Sequence, residues 1–480
     1  MTTIRHPATR PPGPVLGTAP ELTESAGAYR ATGGYTSTTG PAALLDHLAD
    51  ADLRGRGGAG FPAAVKLRAV RDRGAAPVVV ANGEEGEPGS AKDRWLLRAR
   101  PHLVLDGLAH AAAITGAARG YVYLSDPAAA FAVRRALAEH PPPLPVEVVE
   151  TGHTYVAGEE SAVVRRIDGG PALPAAKPPR PFERGVGGAP TLVANVETLA
   201  RIALVAAHPA DRHRIAGTTL LTLSAGNGGN AGNGGHGGNG GHGGNGGHSS
   251  HHGNGGHNGP GGHGADEGND TGEGHDAGHR ATPVLTEVPY GTPLRTLAAE
   301  AGAPGATGAL MGGLFGGLAG PDVLDLPLDP GALTAAGTAL GCGAIRFLVP
   351  GHCPVTAAAD AAAHLAAGSA RQCGVCLSGT GAISEALTGL ALGAAGPDTL
   401  AALGRWARGL PGRGACGLLD AAAHTAGSLL RHFPHVVRAH LDTRCPSCAA
   451  APRSGGDDRL TVTVPRVAPA PGAAPEPAHR

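Results

Sequence analysis

The sequence predicts an α/β protein with a largely parallel sheet, followed by a small β-rich region and a helical C-terminal part. Three observations predict it. Between residues 77 and 150, short apolar runs alternate with longer amphipathic stretches, the pattern of a βαβαβ unit. Two further strand-like segments flank a block rich in Gly, Asn and His. From about 355 to 441 the chain is rich in Ala and Leu, which favours helix. At 480 residues the chain is long enough for about three domains of ~150 residues.

In chain order, residues 1–27 are Pro- and Thr-rich and are expected to form a mobile tail. An α/β domain is expected over 28–212. Within it, PVVVAN (77–82) reads as a strand, 94–117 as a helix broken near Pro101, and 120–124 as a second strand. Asp126-Pro127 supplies an N-cap followed by Pro at the first helical position, and VEVVE (146–150) reads as a third strand. A β-rich domain is expected over 213–330, from TTLLTLSAG and TPVLTEVPYGTPLRTLAAEAG. Its hairpin loop would be expanded by the 224–280 insertion, where 25 of 57 residues are Gly, nine are His and eight are Asn. Loop-closure cost rises by only ~0.6 kcal/mol per doubling of length, so such an insertion is tolerable. A helical domain is expected over 331–448 and a second Pro/Ala-rich tail over 449–480.

Composition excludes some functions. A net charge of −1 gives no basic footprint for nucleic acid. The sequence shows no uninterrupted apolar stretch of membrane-spanning length and its first residues show no apolar export segment, so a cytoplasmic location is expected. Seven Cys, four of them in the pairs Cys373/Cys376 and Cys445/Cys448, suit metal ligation better than a disulfide framework. Against 35 Arg there are three Lys, at 66, 92 and 177, which suggests that Lys is kept where a compact point charge is needed.

Gly55-Arg56-Gly57-Gly58-Ala59-Gly60 satisfies G-x-G-x-x-G, but the segment before it reads as a helix rather than the strand that the dinucleotide fingerprint requires. Phe61 and the residues after it read as a helix start, so the loop predicts an anion site, with Arg56 and Lys66 beside glycine amides. Glu84, Glu85 and Glu87 follow the 77–82 strand, at the edge where open α/β sheets bind ligands. Glu159 and Glu160 make a second acidic corner after Tyr155. Carboxylates can accept hydrogen bonds from ribityl or ribose hydroxyls and from a carboxamide.

These residues resemble a known family, the NADH-binding, FMN-containing flavoprotein subunit of respiratory complex I and its relatives in NAD-linked hydrogenases and formate dehydrogenases. The matching strings are LRGRGGAGFP (53–62), VVANGEEGEPGSAKDR (79–94), PHLVLDGLAHAA (101–112), YVAGEESAVV (155–164), KPPRPF (177–182) and PTLVANVETLA (190–200). The resemblance extends more weakly to QCGVC and RGACGLLDAAAH. It implies a Rossmann-like FMN domain, a ubiquitin-like β-grasp (SLBB) domain and a C-terminal helical bundle carrying an iron–sulfur cluster. FMN contacts would fall on Arg56, Gly57, Lys66, Asn82, Glu84, Glu85, Tyr155, Gly158, Glu159 and Asn195, and NADH contacts on Phe61, Glu87, Glu160 and Lys177. The implied activity is hydride transfer from NADH or NADPH to FMN, with electrons passing to a cluster or to a ferredoxin-like or thioredoxin-like partner. The alternative is a catalytically degenerate FMN-binding scaffold subunit of a redox complex.

The chain departs from the family pattern at several places. Where the family places further aromatics against the nucleotide, this chain has Ala69 and Arg180, leaving Phe61 as the expected stacking residue and Arg180 as a partner for a 2′-phosphate. Cys373, Cys376 and Cys416 match the cluster ligands, but the third family cysteine is Gly379. A [4Fe–4S] cluster normally takes four thiolates. Substitution by Cys342 or Cys353, a three-iron or non-Cys-ligated cluster, and no cluster all remain open. Cys445-Pro-Ser-Cys448 reads as half of a zinc or intersubunit site, or as two unpaired thiols. The repeated Asn-Gly-Gly-His-Gly-Gly hexad, with His236, His242 and His248, reads as an expanded loop, with metal binding as the alternative.

Overall fold

The computed structural model describes residues 2–5, 12–74, 76–226, 282–450 and 459–469. The strands in chain order are β1 (Thr3–Ile4), β2 (Val78–Asn82), β3 (Arg119–Leu124), β4 (Val146–Glu150) and β5 (Thr191–Asn195). They continue as β6 (Thr218–Ala225), β7 (Val284–Pro289), β8 (Gly308–Leu310), β9 (Leu318–Ala319) and β10 (Ala344–Leu348).

The first sheet has the order β4-β3-β2-β5 and is parallel throughout. Its central strand β2 is a continuous apolar run, Val78 to Ala81, buried on both faces, as expected of a strand covered by helices on both sides. The helices Lys92–Ala99 and Pro101–Thr115 meet at Arg100, because Pro101 has no amide to continue the first and suits the opening turn of the second. Asp126 caps the next helix through the Ala129 amide. The helix Pro101–Thr115 lies against Val196–Ala207 so closely that a Cβ on Gly107 would sit 1.9 Å from the Leu199 carbonyl oxygen. Only glycine fits there.

The second sheet is mixed, with the order β1-β7-β6-β10-β8-β9. β6 and β7 pair antiparallel in register, Thr218 opposite Pro289 and Leu223 opposite Val284. The expected hairpin therefore forms; the insertion between its strands, with His236, His242 and His248, lies outside the described residues. β10 pairs with both β6 and β8, so the β-rich region runs past the expected limit at 330. The helices from Pro354 to Ala450 share a core of Val355, Leu365, Ile383, Leu387, Leu419 and Leu429.

Both tails need correction where they are described. Val15 and Leu16 are fully buried, and their amides donate to Glu287 Oε2 at 2.9 and 2.8 Å. The segment 12–27 is thus packed, because a buried carboxylate on β7 needs donors that this chain start supplies. Similarly, Leu460 and Val462 are buried, the Val462 amide donates to the Pro88 carbonyl at 2.9 Å, and Ala468 bridges to Leu22.

Candidate functional site

The carboxyl ends of β2 and β5 open onto a cavity of about 370 Å³, within the usual size of a cofactor site. Its walls bring together residues far apart in sequence: the 55–61 loop, Lys66, Asn82, Glu84, Glu85, Glu87, Tyr155, Gly158, Glu159, Glu160 and Asn195. Two tight loops make this possible. A Cβ on Gly158 would lie 2.7 Å from the Glu84 carbonyl oxygen, and one on Gly86 would lie 2.5 Å from that of Tyr155, so the two acidic corners touch backbone to backbone.

The glycine loop leads into the helix Ala63–Arg71, with Gly58 and Gly60 at φ of +116° and +61°, a region that side chains rarely adopt. The amides of Gly57 to Phe61 donate to no protein acceptor among the described residues. Lys66 Nζ lies 3.3 Å from Glu160 Oε2. Free amides at a helix start, with an ammonium one turn in, form an anion cradle.

Arg56 does not complete that cradle as expected. Its side chain is buried and donates to the Ala216 and Thr218 carbonyls at 2.7 and 3.0 Å and to the Tyr290 hydroxyl. A buried guanidinium needs acceptors, and its two terminal nitrogens find them around the start of β6 and at Tyr290 rather than in the cavity, while Nε, 3.9 Å from Glu197, has no hydrogen-bond partner. Burial holds its pKa down at about 9. Lys177 likewise stands behind the wall, paired with Glu159 and 3.9 Å from Glu160.

The carboxylates divide by how fully they are engaged. Glu85 accepts from Ser90 Oγ (2.5 Å) and the Asp93 amide (3.1 Å) on one oxygen and from Arg94 Nε (3.1 Å) on the other, which makes it a clamp for its own loop. Glu159 caps the helix Glu160–Ile167 through the Ser161 and Ala162 amides. Glu84 is buried, with one oxygen 3.1 Å from His153 Nδ1, while its other oxygen, Oε2, has no partner. An unpaired buried carboxylate oxygen is costly, and Glu84 is among the residues that line the cavity.

Glu87 accepts from the Tyr155 hydroxyl at 2.9 Å and from the Leu314 amide at 3.0 Å. Burial pushes its pKa from the ordinary 4.5 up to about 7. The same burial, together with Glu87, raises Tyr155 well above its ordinary value, so the phenol stays a donor. The amide of Asn82 donates to the Gly158 carbonyl at 2.8 Å and that of Asn195 to Asp93 Oδ2 at 2.7 Å. Below the floor, Lys92 lies 2.6 Å from Asp93 and 3.2 Å from Glu197, all buried. Each of the three lysines thus meets a carboxylate at or behind this wall.

Sequence reasoning missed Phe315. It lines the cavity, stacks on Tyr155 at 6.1 Å between centroids, and is 43% exposed beside an exposed Phe61. Phe61 is therefore not the sole aromatic at this cavity. The signal was present in LMGGLFGG, a bulky ring between glycines, as in GAGFP. Cys342 and Cys416 also reach the cavity.

Residues 48–204 match the family described as the Nuo51 FMN-binding domain, and 356–440 match the NADH-ubiquinone oxidoreductase-F iron–sulfur binding region. The chain thus carries, in this order, an FMN-binding region and an iron–sulfur region similar to those of the flavoprotein subunits. It is 28% identical to an NADH-quinone oxidoreductase subunit of Rhizobium meliloti, over 88% of this chain and 94% of that one. It is 34% identical to the NAD-reducing hydrogenase HoxS subunit alpha of Cupriavidus necator, over 37% of this chain and 32% of that one. Its fold is similar to a solved NAD+-reducing [NiFe]-hydrogenase chain, with a TM-score of 0.65 and 27% identity over 84% of this chain. It spans 62% of that hydrogenase chain. It also spans about half of the corresponding NADH-quinone oxidoreductase subunit of Escherichia coli, to which it is 34% identical. No helix among the described residues is long and apolar enough to cross a membrane.

The iron–sulfur region holds the three cysteines expected from the resemblance as cluster ligands. Cys373 precedes and Cys376 lies in the first turn of the helix Gly374–Ala391, and Cys416 lies just before the helix Leu418–His432. At Gly379 a Cβ would meet Leu419 Cδ1 at 2.9 Å and Leu410 Cδ1 at 3.1 Å. Leucine side chains thus fill the space of the missing thiolate, and a four-cysteine cluster does not fit these residues.

Proposed function

We propose that the chain binds FMN in the 370 Å³ cavity and oxidises NADH or NADPH there. The observation that carries this reading is the meeting, in the lining of one cavity, of unengaged loop amides beside Lys66 with buried Glu84, one of whose oxygens has no partner. The first is an anion site and the second an acceptor for hydroxyls; a phosphorylated ribityl chain offers both. FMN supplies the hydride-accepting chemistry when bound.

The chain's own groups would hold and orient the reactants. The Gly57–Phe61 amides and Lys66 would hold the phosphate, and Glu84 would accept from the ribityl chain. Asn82 and Asn195, tied to Gly158 and Asp93, would keep the sheet edge open at the width of a ring system. Phe61 and Phe315 would flank the nucleotide. Glu87, held by Tyr155 and Leu314 and close to half protonated near neutral pH, would meet a carboxamide as either donor or acceptor. Glu160 would take the other side, held 3.3 Å from Lys66 and 3.9 Å from Lys177.

The remaining assignments are of the same standing. Arg56, Glu85, Glu159 and Lys177 are positioning residues, since their side chains are engaged with protein groups. The second sheet with the helix Leu294–Glu300 is read as the β-grasp domain and the helices after Pro354 as the bundle. Partner subunits of redox type would receive the electrons, as in the multi-subunit relatives. With three thiols and Gly379, no electron step is assigned to a cluster.

Anaerobic mixing of the FMN-loaded protein with NADH and, separately, with NADPH tests the reading. Flavin absorbance should bleach with at least one of them. Retained flavin that neither nucleotide bleaches would leave the scaffold reading in its place.

A further inference from the structure

Outside the cavity, three cysteines and a histidine converge in the helical region. Cys353 lies at the start of the helix Pro354–Ala367, His440 just after the helix Pro434–Arg438, and Cys445 and Cys448 around the start of the helix Pro446–Ala450. One ligand atom from each of the four lies within 4.8 Å of every other. Cys353, His440 and Cys448 are buried, with His440 at 0% exposure. None of the three family-matched thiols Cys373, Cys376 and Cys416 belongs to this group.

The detail within the group is that of a metal site. His440 Nδ1 lies 2.7 Å from the Val436 carbonyl oxygen, so that nitrogen carries the proton and Nε2 presents its lone pair inward. Nε2 stands 3.3 Å from both Cys353 Sγ and Cys448 Sγ. A metal-bound histidine is typically oriented by this kind of carbonyl contact. The Cys448 amide donates to Cys445 Sγ at 3.3 Å, which orients that sulfur within the group.

Tetrahedral zinc, with Zn–S of about 2.3 Å and Zn–N of about 2.0 Å, places its ligand atoms roughly 3.5–3.8 Å apart in a Cys3His site. The observed spacing suits one ion and is too short for thiolates spread over the corners of an iron–sulfur cubane. Three thiolates and one imidazole around a divalent ion leave one negative charge. Arg444 sits beside it, donating to the Cys448 carbonyl at 2.6 Å and with a buried Nε that lacks a partner.

We propose that Cys353, His440, Cys445 and Cys448 bind one structural zinc ion that staples residues 440–448 to the start of the helix Pro354–Ala367. Closed Cys3His sites of this kind contribute folding energy rather than reactivity. The staple has a reach beyond itself: Asp360 on that same helix binds Arg459 Nε at 2.7 Å, and from there the chain runs to Val462, whose amide donates to Pro88 beside Glu87. The proposal is independent of flavin binding.

The test is metal analysis and zinc-edge X-ray absorption on the purified full-length protein. The expected result is close to one zinc per chain, with a shell of three sulfurs and one nitrogen. Joint Cys445→Ser and Cys448→Ser substitution should abolish zinc while flavin is retained, whereas joint Cys373→Ser and Cys376→Ser substitution should leave zinc unchanged. Absence of zinc from protein made in zinc-supplemented medium would overturn the proposal. So would iron with sulfide bound through these residues, or a shell without nitrogen. Because the absorption measurement uses the unaltered chain, a variant that fails to fold does not remove the test.

Discussion

The cavity at the β2–β5 edge and the cysteine cluster region near Gly379 are two parts of one family pattern that this chain treats differently. In the cavity, every side chain expected at the wall is either there or directly behind it, and the engaged ones hold the unengaged ones in place. At the cluster, one of four ligands is missing and Leu410 and Leu419 have closed the gap. The contrast teaches that flavin binding and cluster binding are separable here. A loop of amides works through backbone geometry and tolerates drift in its neighbours, whereas a [4Fe–4S] cluster normally takes four thiolates and only three of the matching positions here are Cys.

The comparison can be broken most sharply at Gly158. Gly158→Val puts side-chain atoms against the Glu84 carbonyl, 2.7 Å from a Cβ at that position. We expect loss of all bound flavin and a stability loss of about 2–4 kcal/mol, read by gel filtration and denaturant unfolding. Lys66→Ala should come next. Removing a charged hydrogen-bond donor worth about 1.5–3 kcal/mol weakens FMN binding by roughly 10–100-fold by fluorescence titration, and the bulkier fork of Lys66→Arg should restore only part of it.

At the cluster, Gly379→Cys tests whether the leucines can give way. If they swing aside, a four-thiolate site returns and iron per chain should rise by about four atoms, with matching sulfide. Unchanged iron content would mean that the apolar packing has closed the site permanently.

Much of this was legible in the sequence, for definite reasons. The first sheet was readable at β2 to β4 because their apolar runs are bounded by Pro, Asn and Asp; β5 was seen only as a family string. The carboxylate corners were readable because acidic residues crowd the ends of strands. What could not be read was which of them would be spent internally: Glu85 and Glu84 are adjacent, yet one is fully clamped and the other keeps an orphan oxygen. That depends on Ser90, Arg94 and His153 arriving in space. Arg56 misled for the same reason, as its carbonyl partners lie about 160 residues away. The buried ends at Leu16 and Leu460 were hidden by their Pro-rich surroundings.

Glu87 gives a smaller effect with a definite sign. Its folded pKa of about 7 lies above the ordinary 4.5, so the folded chain holds a proton that the unfolded chain has released. Its contribution is therefore present below about pH 4.5 and lost as pH rises toward 7, by about 3 kcal/mol at most. Glu87→Gln should flatten the fall in melting temperature across that window. The smallest change is expected at Arg180, which is exposed three residues after Lys177. Arg180→Ala should lower the preference for NADPH over NADH by roughly threefold to tenfold, a salt-screened charge effect, measured by flavin bleaching with each nucleotide.

The central claim is that the amide loop, Lys66 and the free oxygen of Glu84 form one flavin-phosphate site. Titrating flavin-free protein with FMN while following quenching of flavin fluorescence tests it most directly. Saturation at one FMN per chain, with riboflavin at least tenfold weaker because it lacks the phosphate, is the predicted result. A protein that purifies colourless and leaves FMN fluorescence unchanged would contradict it.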